Sequence, residues 1–141
     1  MSWIYRLLII VCLIPLWSNA QQSKPDDIIG YYYSVDPFTD EASQIYIYKN
    51  AQGKYDGTVC WVENLAKKKF LNLVFLKGLE FNKKENDWRN GIVKYPGKSG
   101  TYSMYMKFES STKLKVRGYW GVSLLGKSMY WYKEEHKRIQ K

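Results

Sequence analysis

The sequence predicts an all-β domain: a single small antiparallel up-and-down barrel of about eight to nine strands. Three observations lead there. Thr101–Phe108 and Lys113–Trp120 alternate between apolar and polar side chains over their whole length, the period of half-buried strands. Further strand-forming stretches recur along the chain with turn residues between them, and each connection is of hairpin length. No stretch of about 12 residues carries a clear helical period outside the tail.

The elements follow in chain order. Residues 1–20 read as a secretory signal peptide. Arg6 supplies the positive start, Leu7–Trp17 is uncharged and mostly apolar, and Ser18-Asn19-Ala20 is a small-residue cleavage site. Residues 21–27 form a polar leader containing Pro25. The barrel is expected over 28–133. Its strand candidates are Tyr31–Val35, Ser43–Lys49, Lys54–Val62, Leu71–Leu76, Leu79–Asn82, Gly91–Tyr95, Thr101–Phe108, Lys113–Trp120 and Ser128–Lys133. Between them lie Asp36-Pro37, Asn50–Gly53, Lys83–Asp87, Pro96–Gly100 and Gly121–Gly126, rich in turn formers. Hairpin-length connections favour an up-and-down barrel over a Greek-key sandwich, which needs a long crossover. Residues 134–141 are a charged tail. Glu134 and Arg138 are spaced for one helical turn, but so short a terminal piece is expected to be disordered.

Composition excludes several chemistries. The chain has 141 residues, which allows one domain. Two Cys and one His exclude a disulfide framework and nearly all zinc sites. Without residues 1–20 the chain keeps 121 residues, a net charge of +8 and one cysteine, Cys60, expected to be a buried structural thiol. The sole histidine, His136, lies in the tail, where nothing positions it for a nucleophilic triad. Asp36, Asp40 and Glu41 share one loop but match no calcium-loop spacing, and no phosphate-binding glycine motif occurs. Neither a metal nor a cofactor is expected. No apolar stretch long enough for a membrane helix follows residue 20. Lys67, Lys68 and Lys69 head a basic surface, with Lys83-Lys84 and Lys113/Lys115/Arg117. Export argues against a nucleic-acid partner and leaves anionic envelope lipid or glycan.

One ordered pattern is more specific. Trp88-x-x-Gly91-x-Val93-x-Tyr95-Pro96-x-x-x-Gly100-x-Tyr102 is followed by Leu114-Lys-Val-Arg-Gly-Tyr119-x-Gly121-x-Ser-Leu-Leu-Gly126 and then Trp131. Across Ile28–Lys133 the chain resembles a family of small exported bacterial proteins, domain of unknown function 2147. The resemblance implies a lipocalin-like, calycin-type barrel and assigns no activity, ligand or catalytic residue. It also implies that an aromatic of the first strand stacks on a cation of the last, here Tyr32 and Lys133. The chain departs from the family at Gly30-Tyr31-Tyr32, where Gly-x-Trp is usual. Other departures are Asn72, in place of a glycine, the Lys67–Lys69 loop, and Lys133, where arginine is common.

Two functions then compete. In the first, the barrel holds one apolar or amphipathic ligand. Tyr55, Trp61, Tyr102 and Trp120 are its candidate aromatic walls, and Met104, Met106 and Met129 its adaptable ones. Trp120 is expected to be buried. In the second, the barrel is packed shut and its basic, tyrosine-rich outside, with Tyr46, Tyr48, Tyr105 and Tyr119, contacts a glycan, lipid head group or envelope protein. An enzyme is disfavoured. A cavity of roughly 300 Å³ or more would favour the first.

Overall fold

The computed structural model describes residues 22–95, 99–120, 122–123 and 128–141. Among the described residues nine strands form one sheet: β1 Gly30–Val35, β2 Ala42–Lys49, β3 Tyr55–Val62, β4 Val74–Asn82, β5 Asp87–Val93, β6 Tyr102–Phe108, β7 Lys113–Trp120, β8 Val122–Ser123 and β9 Met129–Glu134. Each of β1 to β7 pairs antiparallel with the next, β8 is a short hairpin on the end of β7, and β9 pairs with both β7 and β1. Eight strands thus close an up-and-down barrel and leave no free sheet edge along most of its height.

The period-two stretches land as their pattern requires. Met104 and Met106 of β6 and Leu114 and Val116 of β7 point inward and are buried. They join Tyr32, Ile47, Leu76, Leu79, Trp88, Val93 and Trp131 in one core. Gly91 marks how tight this packing is: a Cβ there would sit 2.6 Å from Leu79 Cδ2.

Two strand assignments are corrected. Leu71–Leu76 and Leu79–Asn82 belong to a single strand, β4, which runs through Gly78 at φ +77° while its register with β3 shifts. That glycine makes a bulge, not a turn. β5 starts at Asp87, not Gly91, and bulges between Trp88 and Gly91, where Asn90 takes φ +64°. Leu65–Phe70 is a 3-10 helix capped by Asn64, whose side chain accepts a bond from Ala66 N at 3.0 Å. Asn72, which leads from it into β4, has φ +66°, the conformation a glycine takes without strain.

The leader region carries structure of its own. Pro25–Ile28 is a 3-10 turn that plugs one end of the barrel. Ile28 is fully buried, Tyr32 Oη donates to Ile28 O at 2.7 Å, and Trp88 Nε1 donates to Pro25 O at 2.9 Å. Tyr55 Oη reaches Asp26 Oδ1 at 2.5 Å.

The charged tail is not disordered either. It turns back from β9 and crosses the outer face of β1 and β2 to β3. Gln44 binds Glu134, His136 and Arg138, and the Gln140 amide bonds both Val62 N and Val62 O, at 2.9 and 3.1 Å. Glu134 and Arg138 do pair, at 2.8 and 2.9 Å, without forming a helix. The signal-peptide reading of residues 1–20 and the burial of the Trp120 side chain lie outside the described residues.

Candidate functional site

At the end opposite the plug, the mouth, lies the barrel's cavity. Two connections among the described residues shape this mouth: the β1–β2 turn, 36–41, and the 3-10 helix between β3 and β4. They are tied together, since Glu41 pairs with Lys67, Asn64 Nδ2 donates to Glu41 Oε1 at 2.7 Å, and Ala42 N donates to Glu63 Oε2 at 2.9 Å. The Lys67 and Asn64 bonds hold the Glu41 carboxyl below its ordinary range. Asp36 fixes its own turn, its Oδ1 accepting from Phe38 N at 2.8 Å.

Inside the rim is a cavity of about 120 Å³. Ile45, Val59, Val62, Phe75, Met129 and Trp131 give it an apolar floor and wall. Ser34, Ser43 and Tyr95 add hydroxyls, and Asp36, Glu41 and Lys67 are its charged residues among those described. Ser34 and Ser43 stand opposite each other in the β1–β2 register. Tyr95 is edge-on to Phe38 at 6.4 Å and to Tyr102 at 5.7 Å. Burial, with the Asp36 charge second, pushes its phenol up to about 12, so it stays protonated at neutral pH. Trp131 is 3% exposed, and its indole N–H has no acceptor among the described residues.

The residues expected to line a cavity separate. Met129 lines the mouth. Tyr102 is half-buried beside Tyr95. Tyr55, Met104 and Met106 do not line this cavity: they are buried in the core below. Trp61 is not inside at all. A bulge between Gln44 and Ile45 shifts the β2–β3 register, so Trp61 pairs with outward-facing Gln44 and lies 4.9 Å from the Arg138 guanidinium. The Trp120 side chain is not among those described.

Tyr32 and Lys133 are register partners, with Lys133 Nζ 6.0 Å from the Tyr32 ring, 5.7 Å from Phe108 and 2.8 Å from Asp27 O. This cluster sits at the plugged end. Lys67, Lys68 and Lys69 are not one free patch, because Lys67 turns to Glu41 while the other two stay exposed. Among the described residues no three metal-ligating side chains lie together, and no helix is long and apolar enough to cross a membrane.

Sequence reasoning missed Ser34, Ser43 and Phe75, which carry no motif. Tyr95 and Trp131 stood in the glycine-aromatic pattern, but nothing there placed them at a rim.

The architecture has a solved counterpart. A protein of Helicobacter pylori, described as "Protein HP1028 from the human pathogen Helicobacter pylori belongs to the lipocalin family", superposes with a TM-score of 0.59 at 17% identity, over 76% of this chain and 82% of that one. At that identity the likeness establishes the fold. No curated protein matches the sequence. Residues 30–133 match the family described as "Uncharacterized protein conserved in bacteria (DUF2147)", and the chain belongs to that family.

Proposed function

We propose that this protein is an exported binding barrel whose site is the mouth, not a deep central calyx. The cavity of about 120 Å³ under the β1–β2 turn carries this reading. It is well below the roughly 300 Å³ at which drug-sized pockets begin. It is close to the ~150 Å³ apolar space known to hold one benzene. The site therefore takes a compact group. The lipocalin-like barrel supports binding over catalysis, and Asp36, Glu41 and Lys67, the charged residues among those described that line the cavity, are engaged in fixing its loops.

Xenon or toluene titrated into the protein should shift the Met129 methyl resonance saturably and leave Met104 and Met106 nearly unmoved. Met129→Trp should abolish binding by filling the space, read from the toluene signals by saturation transfer because the reporter methyl is gone, with little change in thermal midpoint. Silence at Met129, or shifts centred on Met104 and Met106, would overturn the mouth as the site.

Export rests on Arg6, the apolar run to Trp17 and the Ser18-Asn19-Ala20 site. Protein recovered from its own cells should begin at Gln21. An intact Met1 on the soluble protein refutes this part.

A further inference from the structure

We infer that the mouth cavity selects neutral, ring-sized molecules carrying one hydroxyl or carbonyl oxygen, and rejects carboxylates of the same size; this rests on the mouth being a binding site.

Size sets the first limit. About 120 Å³ accommodates a six-membered ring and excludes a folded acyl chain.

Hydrogen bonding sets the second. Ser34 is 8% exposed yet lines the cavity, with Ser43 directly across the β1–β2 ladder and the Tyr95 phenol in the same wall. Hydroxyls can donate or accept, so they adapt to an alcohol or a carbonyl. Trp131 is more demanding. An indole N–H only donates, and here it is buried without an acceptor among the described residues. A donor left in that state favours any guest that brings an oxygen within reach.

Charge sets the third. Of the charged residues described around the cavity, Lys67 is committed to Glu41, and the Asp36 carboxylate lies near Tyr95. An entering carboxylate would shed its hydration, meet no unpaired cation among the described residues that line the cavity, and approach Asp36. A phenol or cyclic alcohol sheds far less and can donate as well as accept.

The test uses three probes of one size on the whole protein: phenol, toluene and benzoate. Binding is followed at the Met129 methyl and the Trp131 indole N–H resonances. Phenol should move both, with the indole proton shifting as a hydrogen bond forms. Toluene should bind about fivefold more weakly and move only Met129, the loss of one net hydrogen bond. Benzoate should bind more than about tenfold more weakly than phenol. Trp131→Phe should bring phenol down to the level of toluene and leave toluene unchanged. Should that variant fold poorly, Ser34→Ala should weaken phenol relative to toluene by about two- to fivefold. Toluene or benzoate binding at Met129 as tightly as phenol would overturn the selectivity and leave the mouth standing as a site. Silence of both resonances to all three probes would overturn the mouth and the selectivity together.

Discussion

Trp88→Ala should destabilise the barrel by about 3–5 kcal/mol and loosen the plug at its closed end. Trp88 is fully buried, with ring centroids 5.0 Å from Phe81 and 5.5 Å, edge-on, from Phe108. Its indole also holds Pro25 O at 2.9 Å. Alanine would leave a large void that close-packed neighbours cannot collapse, and a plug carbonyl without its donor. Trp88→Phe keeps most of the ring and loses only the hydrogen bond and some volume, so about 1–2 kcal/mol is expected. Urea unfolding gives both values from the midpoint at unchanged slope. Native-state amide exchange should quicken at Ile29, whose N–H is bonded to Asp26 O within the plug, in both variants. An alanine variant costing under about 1 kcal/mol, or a phenylalanine variant as costly as alanine, would contradict this account.

Much of the barrel was legible because a period of two survives in β6 and β7, where inward and outward residues differ strongly. The misses have particular causes. Gly78 reads as punctuation, but only its positive φ distinguishes a bulge inside β4 from a turn between two strands. Asp87 reads as the end of a turn and Arg89 falls outside every strand candidate, yet they are alternate residues of a strand bonded to each other at 2.6 and 2.9 Å, with Trp88 turned inward between them. The plug is held largely through backbone oxygens of Pro25, Asp27 and Ile28, which have no side-chain signature.

The cavity shows the same limit from another side. Alternation tells which face a side chain occupies and nothing about its height along the barrel. Met106 and Met129 both read as interior, but one lies in the filled core and the other at the rim. For Trp61 even the face was misread, because the extra residue of the bulge, Cys60, inverts everything after it in β3.

Gln44→Ala should cost about 2–4 kcal/mol and expose a thiol. Gln44 is fully buried on the outer side of β2, beneath the tail. Its amide makes four bonds, the full capacity of the group: Nε2 donates to Glu134 Oε1 at 3.1 Å and His136 O at 2.8 Å, while Oε1 accepts from Arg138 N at 2.9 Å and Cys60 Sγ at 3.2 Å. Arg138 lies 4.9 Å from the rings of Tyr33 and Trp61, and Gln140 completes the ladder at Val62. Without Gln44 the tail loses its central anchor, and its freed backbone groups turn to water, which limits the cost. Cys60 reports the change. Burial raises its thiol to about 11, so a disulfide reagent at pH 8 should hardly touch the native protein. Gln44→Ala should make it react far faster, and ending the chain at Glu135 should do so while leaving Gln44 in place. Acid tests the same anchor. The Arg138 hydrogen bond is the main cause holding the Glu134 carboxyl below its ordinary range. Its stabilising contribution is therefore complete above about pH 5 and lost as pH falls through the lowered folded value. Exchange at the Arg138 amide should quicken there, relative to core amides, before the barrel unfolds. Were Gln44→Ala to destabilise the protein with Cys60 still protected, the tail would be held by Arg138 and Gln140 alone, and Gln44 would matter only as packing.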